Sequence, residues 1–182
     1  MKDRELSEAN QYLADANERL DRQIRTDALT GLPNMRQYED DLPFFEDMPR
    51  VSSLLVKVEN LSEINGAYGM DTGSEFIRKI AADLIREFFG DRDNWKVYRT
   101  APKEFLIIGD YHTEKTGISF EDVIPHFYEM CSVFTFFPKT EKLPGHAKDG
   151  LCLRARVTLS YSNSEKTDIY KKLHIAMQDT VS

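Results

Sequence analysis

Two β-rich runs, Lys96-Val97-Tyr98 and Phe105-Leu106-Ile107-Ile108, flank the short connection Arg99-Thr100-Ala101-Pro102-Lys103-Glu104. Two such runs joined by a short segment containing proline predict a β-hairpin rather than a helix. The residues of its tip, Ala101 to Phe105, are then presented at one edge of a sheet, a natural place for chemistry. The rest of the chain has to be organised around that hairpin.

The 182 residues, 41% of them hydrophobic, suffice for one domain with a substantial core and an appendage. A formal net charge of −7 argues against a nucleic-acid binder, which needs a basic face to displace counterions from phosphates. No run approaches the roughly eighteen apolar residues of a membrane span. The acidic start, with Asp3, Glu5 and Glu8, is unlike a signal peptide. A cytoplasmic location follows as the expectation, with the chain as the cytosolic part of a larger sensor. Cys131 lies in an apolar helical pattern and Cys152 in a strand pattern, without CxxC spacing, so two buried thiols are expected rather than a zinc site.

Leu6, Asn10, Leu13, Asn17, Leu20 and Ile24 recur at spacings of four and three, the a/d pattern of a coiled coil over about three heptads. Leucine at d with asparagine at two a positions favours a parallel homodimer, because an asparagine amide buried there is satisfied best by its symmetry mate. The alternative is a lone amphipathic helix lying on its own domain. The domain division is therefore 1–25, a dimerising helix, and 26–182, the globular part. Between them, Thr26-Asp27-Ala28-Leu29-Thr30-Gly31-Leu32-Pro33-Asn34 carries glycine and proline that end the helix. Met35, Tyr38, Leu42 and Phe45 mark a short helix limited by Pro43.

Ser53 to Glu59 reads as a central strand buried on both faces, followed by Asn60-Leu61-Ser62-Glu63-Ile64-Asn65-Gly66-Ala67-Tyr68-Gly69. Phe76, Ile77, Ile80, Ala81, Leu84, Ile85 and Phe88 form the core stripe of a helix. Val123, Ile124, Phe127, Met130, Cys131 and Phe134 form another, with Ser119 or Asp122 as caps and Pro125 arguing for a late start. Pro138 to Gly150 is a loop or hairpin, Leu151 to Tyr161 a single long strand, and Ile169, Leu173, Ala176 and Met177 a closing helix. Arg154 and Arg156 share the polar face of that strand and are either solvated or open to an acidic partner.

Three of these stretches resemble the GGDEF family, the diguanylate cyclases. Asp27, Leu29, Thr30, Gly31, Leu32, Pro33 and Asn34 match its D-x-L-T-G-L-x-N linker. Ile64, Asn65, Gly69 and Gly73 match the structural positions of its I-N-x-x-x-G segment. Ala101-Pro102-Lys103-Glu104-Phe105 stands where the family has Gly-Gly-Asp/Glu-Glu-Phe. The resemblance implies an α/β (α+β) fold, a mixed central sheet of about five strands flanked by helices, behind the N-terminal coiled-coil helix. It also implies cyclic di-GMP made from two GTP molecules with Mg²⁺. In the family two carboxylates hold that cation, and here both positions are lysine, Lys57 and Lys103. An ammonium cannot coordinate a hard divalent ion, so no metal and no catalytic residue are expected. Ser62 replaces a phosphate-binding lysine, and Ser74 replaces the aspartate that reads the guanine edge, while Asn65 keeps the guanine-contacting asparagine. Asn65 is either a nucleotide contact or a structural cap.

Two roles for the lysines are open. They bridge Glu59 and Glu104 as salt links, the preferred reading, or with Asn65 and Ser74 they hold a guanine nucleotide by its phosphates. The family's R-x-x-D inhibitory site keeps Arg92 alone, and an exposed Trp95 there would suggest a contact surface. The expected function is a catalytically inactive signalling module acting by protein contact or nucleotide binding. The alternatives are an active cyclase with an altered site and a dimerisation unit for an output domain elsewhere.

Overall fold

The computed structural model describes residues 2–48, 51–90, 95–110, 120–138 and 151–164, together with residues 171, 174, 175 and 178. Helix α1 spans Lys2–Arg25 and is laced by side-chain pairs one turn apart, including Arg4–Glu8, Glu18–Arg22 and Asp21–Arg25. It buries no residue, and Leu6, Leu13 and Leu20 are each more than half exposed. The stripe therefore does not lie on its own domain. Only the last turn is tied down, by Arg25, whose guanidinium is shared between Asp21 and Asp40 of the next helix.

Helix α2, Met35–Glu46, starts where the Asn34 side chain accepts the Gln37 N–H at 3.2 Å. It runs one turn past Pro43, a little longer than the proline alone predicts. Strand β1, Val51–Val58, is buried along nearly its whole length. Helix α3, Leu61–Tyr68, and α4, Met70–Lys79, follow; α4 continues through a π-helical stretch, Ile80–Arg86, into a last turn, α5, Glu87–Phe89. The hairpin is β2, Trp95–Ala101, and β3, Glu104–Asp110. After α6, Phe120–Val133, come β4, Thr135–Phe136, β5, Leu153–Arg154, and β6, Val157–Ser164. The α+β class is as expected.

The sheet has the order β2-β3-β1-β6, with β4 and β5 in a separate ribbon. Every pairing in it is antiparallel, where about five strands in a mixed sheet were expected. The reason is an insertion. β1 and β2, joined through helices, do run in the same direction, but β3 sits between them and removes their direct pairing.

Successive residues of β1 face opposite sides. Leu54, Val56 and Val58 join Phe105, Ile107, Phe76, Ile80, Leu84 and Phe127 in the larger core, while Val51 and Leu55 join Leu106, Ile108, Tyr98, Tyr38 and Phe45 under α2. Full burial of a phenylalanine contributes about 1.5–3 kcal/mol, which places much of the stability in the Phe76, Phe89 and Phe127 layer.

Four expectations are corrected. Leu151 to Tyr161 is two strands, because the Asn60 amide donates to the Arg154 carbonyl at 2.8 Å and accepts the Arg156 N–H at 3.0 Å, pinning a break between β5 and β6. Helix α6 begins five residues before Pro125. Trp95 is buried against Phe89, ring centroids 5.4 Å apart, and so presents no contact surface. Cys131 is buried as expected, but Cys152 is exposed. Arg156 is engaged by Glu63 of α3. Arg92, most of the 138–150 loop, and Ile169, Leu173, Ala176 and Met177 lie outside the described residues. Among the described residues no helix is long and apolar enough to cross a membrane.

Candidate functional site

The hairpin turn is Pro102-Lys103, closed by the pairing of Ala101 with Glu104. Its position is fixed from two sides. The Lys103 carbonyl accepts the Val58 N–H at 2.8 Å, which stitches the turn to the end of β1. The Pro102 carbonyl accepts from the Arg99 guanidinium at 2.8 Å, and the other arm of Arg99 reaches Asp27 at 2.8 Å.

Asp27 is the centre of the linker turn. Its Oδ2 accepts the Thr30 N–H at 2.8 Å and the Thr30 hydroxyl at 2.6 Å, and Gly31 completes the turn at a φ of +71°, where only glycine is unstrained. Burial alone would raise the Asp27 carboxyl, but the hydrogen bonds from Thr30 and Arg99 outweigh it and hold it below its ordinary value. Asn34 closes the other side, its amide donating to the Ile24 carbonyl of α1 at 2.7 Å. The end of the long helix, the linker and the hairpin turn are thus one hydrogen-bonded unit. Arg99 had no role in the sequence reading, although an arginine beside the tip and an acid in the linker were the available signal.

Lys57, Glu104 and Thr158 stand in one row across the sheet, since Lys57 is the register partner of both others. The expected salt links are not formed. Among the described residues no ion pair involves Lys57 or Lys103. Glu104, 7% exposed, has its Oε2 3.0 Å from Nε2 of His174, and Glu59 accepts the Thr158 hydroxyl at 2.8 Å. Short, packed partners win because holding a lysine in one geometry costs up to about 2 kcal/mol of rotamer entropy. His174, 70 residues from Glu104, was missed; nothing in the local pattern marks it.

Asn65 lies in α3 and Ser74 in α4, away from the hairpin in sequence. The Asn65 Oδ1 is buried without a hydrogen-bond partner, and it fills the notch left by Gly73, where a Cβ would overlap it. The side chain caps nothing. It is the Asn65 backbone carbonyl that ends α3, accepting the Gly69 N–H at 3.0 Å.

The family model for the diguanylate cyclase GGDEF domain matches residues 24–135, most of the chain. The chain belongs to the GGDEF family. Solved structures show the same fold at low identity. The coiled coil and GGDEF domain of DgcB from Caulobacter crescentus, in complex with cyclic di-GMP, is 15% identical with a TM-score of 0.70, over 94% of this chain and 84% of that one. A diguanylate cyclase/phosphodiesterase from Caldicellulosiruptor saccharolyticus is 19% identical with a TM-score of 0.69, over 88% of each chain. The diguanylate cyclase SiaD from Pseudomonas aeruginosa, in complex with its activator SiaC, is 16% identical with a TM-score of 0.66, over 97% of this chain and 66% of that one. No curated protein sequence matches. In this GGDEF domain the hairpin between β2 and β3 turns at Pro102 and Lys103.

Proposed function

We propose that this GGDEF domain is a catalytically silent module of cyclic di-GMP signalling that acts through bound nucleotide or a protein partner. The observation that carries the reading is the donor set. Lys57 and Lys103 occupy the positions of the family's two metal-binding carboxylates, and the nearby Glu104 is engaged by His174. Among the described residues no three acids, histidines or cysteines converge on one point. Those residues do not fit Mg²⁺, since a hard cation is held by several oxygens and repelled by ammonium groups. Phosphoryl transfer to cyclic di-GMP depends on that charge neutralisation. The test is incubation with GTP and Mg²⁺ or Mn²⁺, and no cyclic di-GMP is expected. Turnover above a buffer control that Glu104→Ala abolishes would overturn the reading and establish an active cyclase.

The two lysines favour nucleotide binding over a purely structural role, because neither is consumed by an ion pair within the described residues. Two unpaired ammonium groups at the hairpin suit phosphate oxygens. Assembly is the second part of the proposal. Residues 1–25 form a helix whose leucine stripe is uncovered, and a second copy is the partner that both the d-position leucines and the a-position Asn10 and Asn17 require. Residues 26–182 are then the module that this dimer presents. SiaD, crystallised with its activator, is a precedent in the fold for contact with a separate protein.

A further inference from the structure

We infer that His174 is a positioning residue for anion binding: by holding Glu104 it keeps the Lys57 ammonium free for a phosphate group. The inference rests on the nucleotide reading above and names what makes that reading possible. Lys57 and Glu104 are direct register partners on the antiparallel strands β1 and β3. Side chains so paired project from the same face of a sheet with Cβ atoms about 4.5–5.5 Å apart, and opposite charges there attract. A lysine facing a glutamate in this relation is a ready-made ion pair. Among the described residues that pair is nevertheless not formed.

The acid is taken by a third residue. Nε2 of His174 lies 3.0 Å from Oε2 of Glu104, whose side chain is 9% exposed against 33% for the histidine. An ionised carboxylate only accepts, so the imidazole N–H is the donor. The acid two residues along from Lys57, Glu59, accepts the Thr158 hydroxyl at 2.8 Å. Both acids next to Lys57 in sequence or register are thus held by shorter side chains. The half-buried Lys57 is left with no ion pair among the described residues. A partly desolvated ammonium regains what it lost in hydration by meeting an anion, and phosphate oxygens suit it. Without His174, the buried Glu104 is short of a donor and has Lys57 opposite it as the replacement. The pair then closes, and the cation is withdrawn from any phosphate. Lys103 lies in the turn, outside that register, so the control is exerted through Lys57.

Two measurements on the full chain test this. In urea melts without nucleotide, Lys57→Met should leave the midpoint of the natural protein in place. In a His174→Ala background the same change should lower it, because there it breaks the new Lys57–Glu104 pair. In titrations with GTP and no added metal, His174→Ala should weaken binding about tenfold. In a Glu104→Gln background it should cost nothing, since the acid that captures the lysine is gone. His174→Gln, which keeps an N–H donor, should recover part of the affinity. An equal loss from His174→Ala in both backgrounds would make His174 a direct ligand or a general support of the fold, and would overturn the inference. So would a Lys57→Met effect on the midpoint that is the same with and without His174. The two readings fail separately. Coupling in the melts with no GTP binding would refute the nucleotide reading while upholding the competition for Glu104, and GTP binding without coupling would do the reverse.

Discussion

At the scale of single residues, the Asp27–Arg99 pair has the clearest measurable consequence. The Arg99 side chain is only 9% exposed, so removing Asp27 leaves a nearly buried cation without its acid. Asp27→Ala is expected to lower stability by about 2 kcal/mol, less than for a fully buried pair because Asp27 keeps some solvent contact, and a urea melt measures it. The pH dependence has a definite sign. A carboxyl held below its ordinary value of 3.8 stabilises the fold fully above that pH, and the contribution drains away as pH falls through the lower folded value. Unfolding midpoints between about pH 5 and 2 should therefore fall more steeply in the natural protein than in Asp27→Asn; parallel curves would show that the pair carries no linked stability. His174→Ala takes one partner from the buried Glu104 and should cost about 1 kcal/mol in the same melt.

At the scale of elements, the α3–α4 corner and α1 make separate predictions. Gly73→Ala places a methyl group where the Asn65 side chain sits, and overpacking of this kind costs roughly 1–3 kcal/mol. Asn65→Ala removes the obstacle, so the double variant should be more stable than Gly73→Ala alone, a coupling read from a double-mutant cycle. Additive losses would mean that the two residues do not compete for one space. For α1, sedimentation of the whole chain should give a dimer, and a chain lacking the residues before Arg25 should give a monomer, because nothing else in the described domain presents a comparable apolar stripe. A dimer that survives the truncation would move the interface into the globular domain.

At the scale of the whole molecule, the lysines link site and stability. If Lys57 and Lys103 hold phosphates, GTP without added metal should raise the thermal midpoint of the natural protein, and Lys57→Ala should remove that gain. Lys57→Asp combined with Lys103→Glu gathers acids around Glu59 and Glu104 and should destabilise the metal-free protein, with Mg²⁺ restoring it. An effect of Mg²⁺ on the natural sequence of the same size would contradict the proposed loss of the metal site. Much of this architecture was legible in the sequence alone. Apolar spacing reports which side of a segment is covered, so the hairpin, the buried β1 and the long α1 with its leucine stripe could be read locally. The tertiary structure decided the pairings. Which acid meets which base depends on the side chain that arrives from far along the chain with the least freedom to lose. That is why Glu104 meets His174 rather than a lysine, and why Asn60, from 94 residues away, breaks one expected strand into two. It is also why β3, inserted between β1 and β2, leaves the described sheet antiparallel where the family resemblance implied a mixed one.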